Sequence, residues 1–245
     1  FMSWTIGGAI VSFILSVIAI VANFVDMGTF GDFMINYSYI FHFVTALGMV
    51  TLFMFVDFNT ISPGANDNLT GTYAAVCALR MLDMAGVDFE NTEVCAMITD
   101  GEEAGLRGCK SWAKNHYDEY VNSGVETVVL CVDTLTDREY LRVYNKDMTG
   151  TVKNNQQFSQ LVMDASKDAG HDDIELSSVF FGSSDAAAFS QAGITATCLA
   201  AMDPRPADYY HNRRDTADRL VPETIKTGFD VIISTILNFD EKGLN

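Results

Sequence analysis

Two long apolar stretches open the chain. Residues 1–25 and 33–56 contain no Asp, Glu, Lys or Arg, and only Asp26 and Asp32 lie between them. A helix of about 20 residues crosses a hydrocarbon core of about 30 Å, and both stretches reach that length. The pattern predicts a two-helix transmembrane hairpin over residues 1–58, with membrane lipid as its surroundings.

The distribution of basic residues favours one orientation of this hairpin. The first Lys or Arg in the chain is Arg80, so every basic residue lies in the segment that follows the hairpin. Basic residues are enriched on the cytoplasmic side of membranes, which favours a cytoplasmic position for that segment, although large domains cross membranes regardless of charge. A signal peptide or a pair of buried core helices is the alternative, but a signal peptide needs a basic start and a cleavage site, and the apolar stretches have neither.

From Ile61 onward, short β-branched runs alternate with longer helical ones. This alternation predicts an α/β fold with a mostly parallel or mixed central sheet and helices on both faces. We expect strands over residues 92–99, 127–132, 141–144, 179–181 and 195–201. We expect helices over residues 70–85, 104–120, 156–169, 185–191 and 222–239.

The charge of the chain excludes one class of partner. The formal net charge is −17, and no stripe of basic residues interrupts the acidic composition. Proteins that bind nucleic acid neutralise phosphates with clustered Lys and Arg side chains. Nucleic acid is therefore not an expected partner.

Four carboxylates and one imidazole follow predicted strands or open predicted helices. They are Asp67, Glu102, Glu103, Asp133 and His211. Ligands of open α/β sheets gather at the carboxyl ends of the strands, so we expect these side chains to converge there. Singly, each has a structural explanation, such as a helix cap or a surface ion pair. Together they would repel one another without a cation, and this mixture of ligands suits Zn²⁺.

Three segments around these residues have a recognisable form. Residues 63–68 read P-G-A-N-D-N, residues 102–108 read E-E-A-G-L-R-G, and residues 211–216 have the form H-x-x-x-D-T. These segments resemble the P-G-A-x-D-[ND], E-E-x-G-L-x-G and histidine motifs of family M28 in peptidase clan MH, the di-zinc aminopeptidases and carboxypeptidases. The resemblance runs from about Ile61 to the C-terminus.

The resemblance implies a role for each residue of the set. Asp67 corresponds to the carboxylate that bridges two metal ions, and Glu103, Asp133 and His211 correspond to further metal ligands. Glu102 corresponds to the general base. The implied fold is that of a zinc aminopeptidase.

One family motif has no match in the chain. A His-x-Asp motif that lies upstream of the bridging Asp in the family is absent, and the nearest formal substitute places Asp57 and Asn59 at its positions. We favour the reading that the chain begins after this motif. Residues 1–58 are then an insertion, and residues 59–245 are a catalytic domain incomplete at its N-terminus. Two zinc ions are expected in the complete protein, and one is the alternative for this fragment.

The leading functional hypothesis is a zinc-dependent exopeptidase of the aminopeptidase type, acting on peptides with a free N-terminus. A second hypothesis is a catalytically inactive peptidase fold that serves as a binding module; retention of Glu102 beside Glu103 argues against it. A third is a glutaminyl cyclase-like acyltransferase, which the resemblance allows because such enzymes share the fold and a similar zinc set. The second carboxylate at Asp133 favours the peptidase.

Overall fold

Two groups of elements make up the computed structural model, which describes residues 2–25, 27–55, 61–180, 182–205 and 207–244. They form two separate units, Phe1–Ile61 and Ser62–Asn245, here called the N-terminal unit and the C-terminal unit.

The N-terminal unit is a pair of helices, as the two uncharged stretches predict. Helix α1 spans Met2–Phe24 and helix α2 spans Thr29–Phe55. His42 of α2 lies between two serines of α1: its Nδ1 contacts the Ser12 hydroxyl, and its Nε2 lies 3.0 Å from Ser16 Oγ. His42 is therefore a helix-contact residue.

The prediction of a transmembrane hairpin is not supported. Among the residues that the structure describes, no helix is long and apolar enough to cross a membrane. Ser12, Ser16, His42 and Thr45 form a cluster of uncharged polar side chains between α1 and α2.

The C-terminal unit contains a mixed sheet of five strands in the described residues. The strands are β1 Val128–Asp133, β2 Leu141–Asp147, β3 Val152–Lys153, β4 Leu176–Ser178 and β5 Thr195–Ala201. Strand β1 pairs in parallel with β5, β5 pairs antiparallel with β2, and β2 also pairs with β3 and β4. The strand predicted over residues 179–181 is absent at Val179 and Phe180, and residue 181 lies outside the described residues; β4 lies just upstream and runs parallel to β2.

Helices cover both faces of this sheet, as the sequence predicts. The helices are α3 Gly71–Met84, α4 Arg107–Tyr120, α5 Gln156–Asp168, α6 Asp185–Gln191 and α7 Pro222–Lys242. Alternate residues of β5 face opposite cores: Cys198 packs in one cluster with α4 and α6, whereas Leu199 packs in the other with α3, α5 and α7. Successive strand side chains point to opposite faces, so β5, which is buried from residue 196 to residue 201, is covered on both sides.

The strand predicted over residues 92–99 does not form. Its side chains alternate between half-buried and exposed, as in a strand, but its backbone pairs with no other described strand. A cavity of about 890 Å³ is lined by residues 91–99 and 127–133. A strand needs a neighbour to accept and donate its backbone hydrogen bonds, and a local sequence pattern does not supply one.

The start of α3 packs against the end of β1, and this contact requires a glycine. A Cβ added at Gly71 would lie 2.2 Å from the Val132 carbonyl oxygen and 2.6 Å from Asn68 Oδ1. Both distances are too short for non-bonded atoms. Any side chain at this position would push α3 away from the strand.

We therefore expect Gly71→Ala to lower the free energy of unfolding by about 1–3 kcal/mol, the cost of overpacking. In an open helix the same change stabilises by up to about 1 kcal/mol, so the sign itself is informative. Urea denaturation would measure it. Tyr73→Ala, at a position 64% exposed in the same helix, is the control and should shift stability by less than about 0.5 kcal/mol. An unchanged or higher stability for Gly71→Ala would contradict the close contact.

Candidate metal centre

The candidate residues lie in loops at one edge of the sheet. Strands β1 and β5 run parallel, with Asp133 opposite Ala200, so the segments that follow these two strands leave the sheet at the same edge. Asp133 ends β1, and His211 lies in the loop that follows β5. Asp67 lies in the irregular turn Ala65–Thr70 that opens α3. The rule that places ligands at the carboxyl ends of strands thus describes this fold.

Three of the four predicted metal ligands converge in space. His211 Nε2 lies 3.1 Å from Asp67 Oδ2 and 3.0 Å from Glu103 Oε1. One ligand atom from each residue lies within 4.8 Å of the others, a spacing suited to a single metal ion. Asp67 is mostly buried, whereas Glu103 and His211 are open to solvent. The cluster therefore has an accessible side.

Asp133 lies beside this cluster without belonging to its close set of three. Its Oδ1 is inaccessible to solvent and has no hydrogen-bond partner in the structure. Burial, and then the negative charges of Asp67 and Glu102, hold the pKa of the Asp133 carboxyl well above its usual range. A buried carboxylate oxygen without a partner is costly, and a bound cation would supply one.

Glu102 lies near three other carboxylates, those of Asp67, Glu103 and Asp185. Burial and the neighbouring charges of Glu103 and Asp185 raise the pKa of Glu102 to about 7, against a smaller opposite effect of His211. The backbone supports this position: the Glu102 carbonyl accepts hydrogen bonds from Gly105 and Leu106 in the turn that leads into α4. Perturbed carboxyl groups of this kind are concentrated at functional sites.

His211 lies between two carboxylates of this set. Hydrogen bonds to Asp67 and Glu103 raise the pKa of His211 to about 10. The donor set is two carboxylates and one imidazole; all three are zinc ligands, and three protein ligands are the number that catalytic zinc sites use. The residues present therefore fit a zinc ion.

Three side chains hold the turn that carries Asp67. Asn66 Oδ1 accepts from the Thr136 backbone, and Asn68 Nδ2 donates to the Val132 carbonyl oxygen. The Asp215 carboxylate accepts from the backbone N–H groups of Asn66 and Asp67. These bonds connect the turn to the end of β1 on one side and to the histidine loop on the other.

Two residues near the site were not assigned a role from the sequence. Asp185 accepts from Thr99 Oγ1 through Oδ2, while its Oδ1 is buried without a partner. The Tyr210 ring stacks on His211, with ring centroids 3.7 Å apart. Asp185 begins α6 in the sequence pattern, where an acidic residue has an ordinary structural explanation. Its position next to the other carboxylates depends on tertiary packing, whereas the adjacency of Tyr210 to His211 was visible in the sequence.

Comparison with a family model gives a match to Peptidase family M28 over residues 49–236. The match begins ten positions before the predicted start of the catalytic domain at residue 59. It includes Asp57 and Asn59, the formal substitutes for the missing His-x-Asp motif, which lie outside the described residues.

Individual proteins resemble the same part of the chain. Aminopeptidase YwaD of Bacillus subtilis is 27% identical over an alignment of 194 positions that covers 71% of this chain and 37% of the relative. The crystal structure of LapA aminopeptidase from Legionella pneumophila superposes with a TM-score of 0.60 at 16% identity, over 74% of this chain and 48% of that one.

The aminopeptidase from Aneurinibacillus sp. strain AM-1 gives a TM-score of 0.59 at 22% identity, over 71% of this chain and 39% of that one. These two structures share the fold. The chain spans between about a third and a half of the length of these relatives. Since the family model matches residues 49–236, well over half of the sequence, the chain belongs to peptidase family M28.

Proposed function

We propose that the C-terminal unit is the catalytic part of a zinc-dependent exopeptidase that releases N-terminal residues from peptides. The observation that carries this proposal is the convergence of Asp67, Glu103 and His211, which come from three separate loops. Surface carboxylates often lie near one another, but an imidazole within hydrogen-bond distance of two of them is a ligand arrangement.

The domain boundaries remain part of the proposal. Residues 59–245 form the catalytic domain, and residues 1–58 form a separate helical insertion. The division of the structure near residue 61 supports a boundary in this region.

Zinc is the metal that this ligand set favours, with Asp67, Glu103 and His211 as ligands. When bound, zinc supplies a Lewis acid that polarises the scissile carbonyl and lowers the pKa of water. Asp133 is a further ligand, because its buried Oδ1 lacks any other partner. Asp67 and Asp133 would be ligands of a second zinc ion.

Glu102 is the general base. It precedes the ligand Glu103 directly, so the backbone that brings Glu103 to the metal also brings the Glu102 carboxylate to the reacting water. The Glu102 carboxylate accepts a proton from the attacking water and then donates it to the leaving amine. The Glu102 carbonyl oxygen accepts hydrogen bonds from the Gly105 and Leu106 N–H groups, and these bonds restrict the movement of the Glu102 backbone during this transfer.

The substrate class follows from the charge of the site. Glu102, Glu103, Asp133 and Asp185 make the surroundings of the cluster strongly acidic, which favours a protonated α-amine over an internal stretch of peptide. The name of the Bacillus relative, an aminopeptidase, supports the same class. A peptide with a free N-terminus is therefore the proposed substrate.

Loss of a ligand should weaken zinc binding. We expect His211→Ala and Glu103→Gln each to raise the zinc Kd by at least 10–100-fold, because removing a ligand should cost no less than removing a group that supports one. Competition with a chromophoric chelator would measure the Kd. His116→Ala is the matched control, since His116 also pairs with a glutamate, at 2.9 Å, but in an exposed part of α4. Equal zinc affinity in all of these proteins would rule out the proposed site.

Loss of the base should abolish turnover without releasing the metal. We expect Glu102→Gln to lower kcat for an aminoacyl p-nitroanilide by about 100–10,000-fold, the usual contribution of general base catalysis, with zinc affinity near that of the parent. Glu119→Gln, at an exposed glutamate of α4, should leave both unchanged. A chelator should stop the parent reaction, and added zinc should restore it.

Assays of the parent protein also separate the exopeptidase hypothesis from the two alternatives, an inactive binding module and an acyltransferase. Zinc binding without hydrolysis of any aminoacyl amide would indicate an inactive binding module. Cyclisation of a peptide with N-terminal glutamine, in place of hydrolysis, would indicate an acyltransferase. An active Glu102→Gln variant would remove Glu102 from the mechanism.

A further inference from the structure

Asp215 is a buried carboxylate whose partners are all in the protein backbone. Only 1% of the Asp215 residue is exposed to solvent. Oδ1 accepts a hydrogen bond of 2.8 Å from the Asn66 N–H, and Oδ2 accepts one of 3.0 Å from the Asp67 N–H. The ion pairs formed by the described residues do not include Asp215. Its charge is thus balanced by the two N–H dipoles, which makes both bonds charge-assisted.

The main chain of Asp215 adds a third bond to the same turn. Its carbonyl oxygen accepts from the Ala65 N–H at 3.2 Å. One residue therefore binds three successive backbone N–H groups, and the last of them belongs to the ligand Asp67. Such a set of bonds restricts both the position and the rotation of the Asp67 backbone.

The same residue belongs to the loop that carries His211. Asp215 follows His211 by four positions, and its N–H donates to the Asn212 carbonyl oxygen within a tight turn. His211 itself adopts a left-handed backbone conformation at φ 55°, so this loop holds an uncommon geometry. Asp215 thereby joins the loop of one proposed ligand to the backbone of another.

We propose that Asp215 is a positioning residue of the zinc site. It holds Asp67 in the place where the Asp67 carboxylate meets the His211 imidazole. This inference rests on the proposed function, because it assigns Asp215 to the same metal site. Asp67 Oδ2 and His211 Nε2 lie 3.1 Å apart, and the hydrogen bonds of Asp215 fix the two loops that carry these residues relative to one another. Groups that orient metal ligands in this way typically alter metal affinity 10–100-fold when they are replaced.

An asparagine at position 215 tests the role with little change of shape. Its amide keeps one acceptor oxygen but sets an NH₂ group against one of the two backbone N–H groups, so one bond becomes a repulsion. Asp208→Asn is the matched control. Asp208 lies seven positions away in the same loop region, and its side chain is 59% exposed and pairs with Arg214 and Arg219. The control removes the same charge without touching the turn of Asp67.

The experiment has two readouts, both taken at a temperature where circular dichroism shows each protein folded. Hydrogen exchange of the metal-free protein reports the backbone amides of residues 65–67. Chelator competition reports the zinc Kd. In Asp215→Asn we expect faster exchange in that segment and a zinc Kd raised 10–100-fold. In Asp208→Asn we expect neither change.

The outcomes separate this inference from the proposed function. If the parent binds no zinc, the proposed function fails and the role of Asp215 fails with it. If the parent binds zinc and Asp215→Asn binds it equally well, only the role of Asp215 is overturned, even where exchange is faster, because Asp215 is then a structural tether. If Asp215→Asn does not fold, Asp215→Glu replaces it, since it keeps the charge but displaces both acceptors by one methylene. Failure of both variants to fold would make Asp215 a folding residue and would also overturn the proposal.

Discussion

The site depends on hydrogen bonds that hold the turn before α3 in place. This turn carries Asp67, and its backbone does not follow a regular helix at that residue. Asp215 accepts hydrogen bonds from two backbone N–H groups of this turn, and the side chains of Asn66 and Asn68 bond to backbone groups at Thr136 and Val132. Two of these side chains lie within the turn and reach outward, whereas Asp215 reaches in from the histidine loop. Without them, the end of β1 and the two loops would have no fixed geometry relative to one another.

This geometry gathers negative charge that would otherwise separate. Asp67, Glu103 and Asp185 all lie near enough to raise the pKa of Glu102 and of Asp133. The fold bears this repulsion because the sheet and its helices provide the core, and the site lies at their edge. Folding stability and metal binding are thus separate demands, and the edge of the sheet is where the second can be met without weakening the first.

Sequence reasoning succeeded where local pattern and chemistry agree. Every predicted helix of the C-terminal unit forms, and β1, β2 and β5 form where apolar β-branched runs predict them. It failed where an element needs a partner. Residues 92–99 have the pattern of a strand but, in the part of the chain that the structure describes, no neighbouring strand to pair with. The uncharged stretches form helices, but their prediction as membrane spans is not supported.

The sequence by itself determined which side chains are the candidates for the chemistry, because Asp67, Glu103 and His211 lie in motifs whose residue types and spacing are readable along the chain. It also located β1, which ends at Asp133, and β5, which the His211 loop follows, since hydrophobic patterning marks these two strands. Only the tertiary structure decided that these three atoms meet, that Asp133 keeps an unpaired buried oxygen, and that Asp215 binds the backbone of Asp67. The physical reason is distance along the chain. A hydrogen bond between residues 149 positions apart, such as that from Asn66 to Asp215, leaves no periodic trace in the sequence and arises only when the sheet brings its loops together.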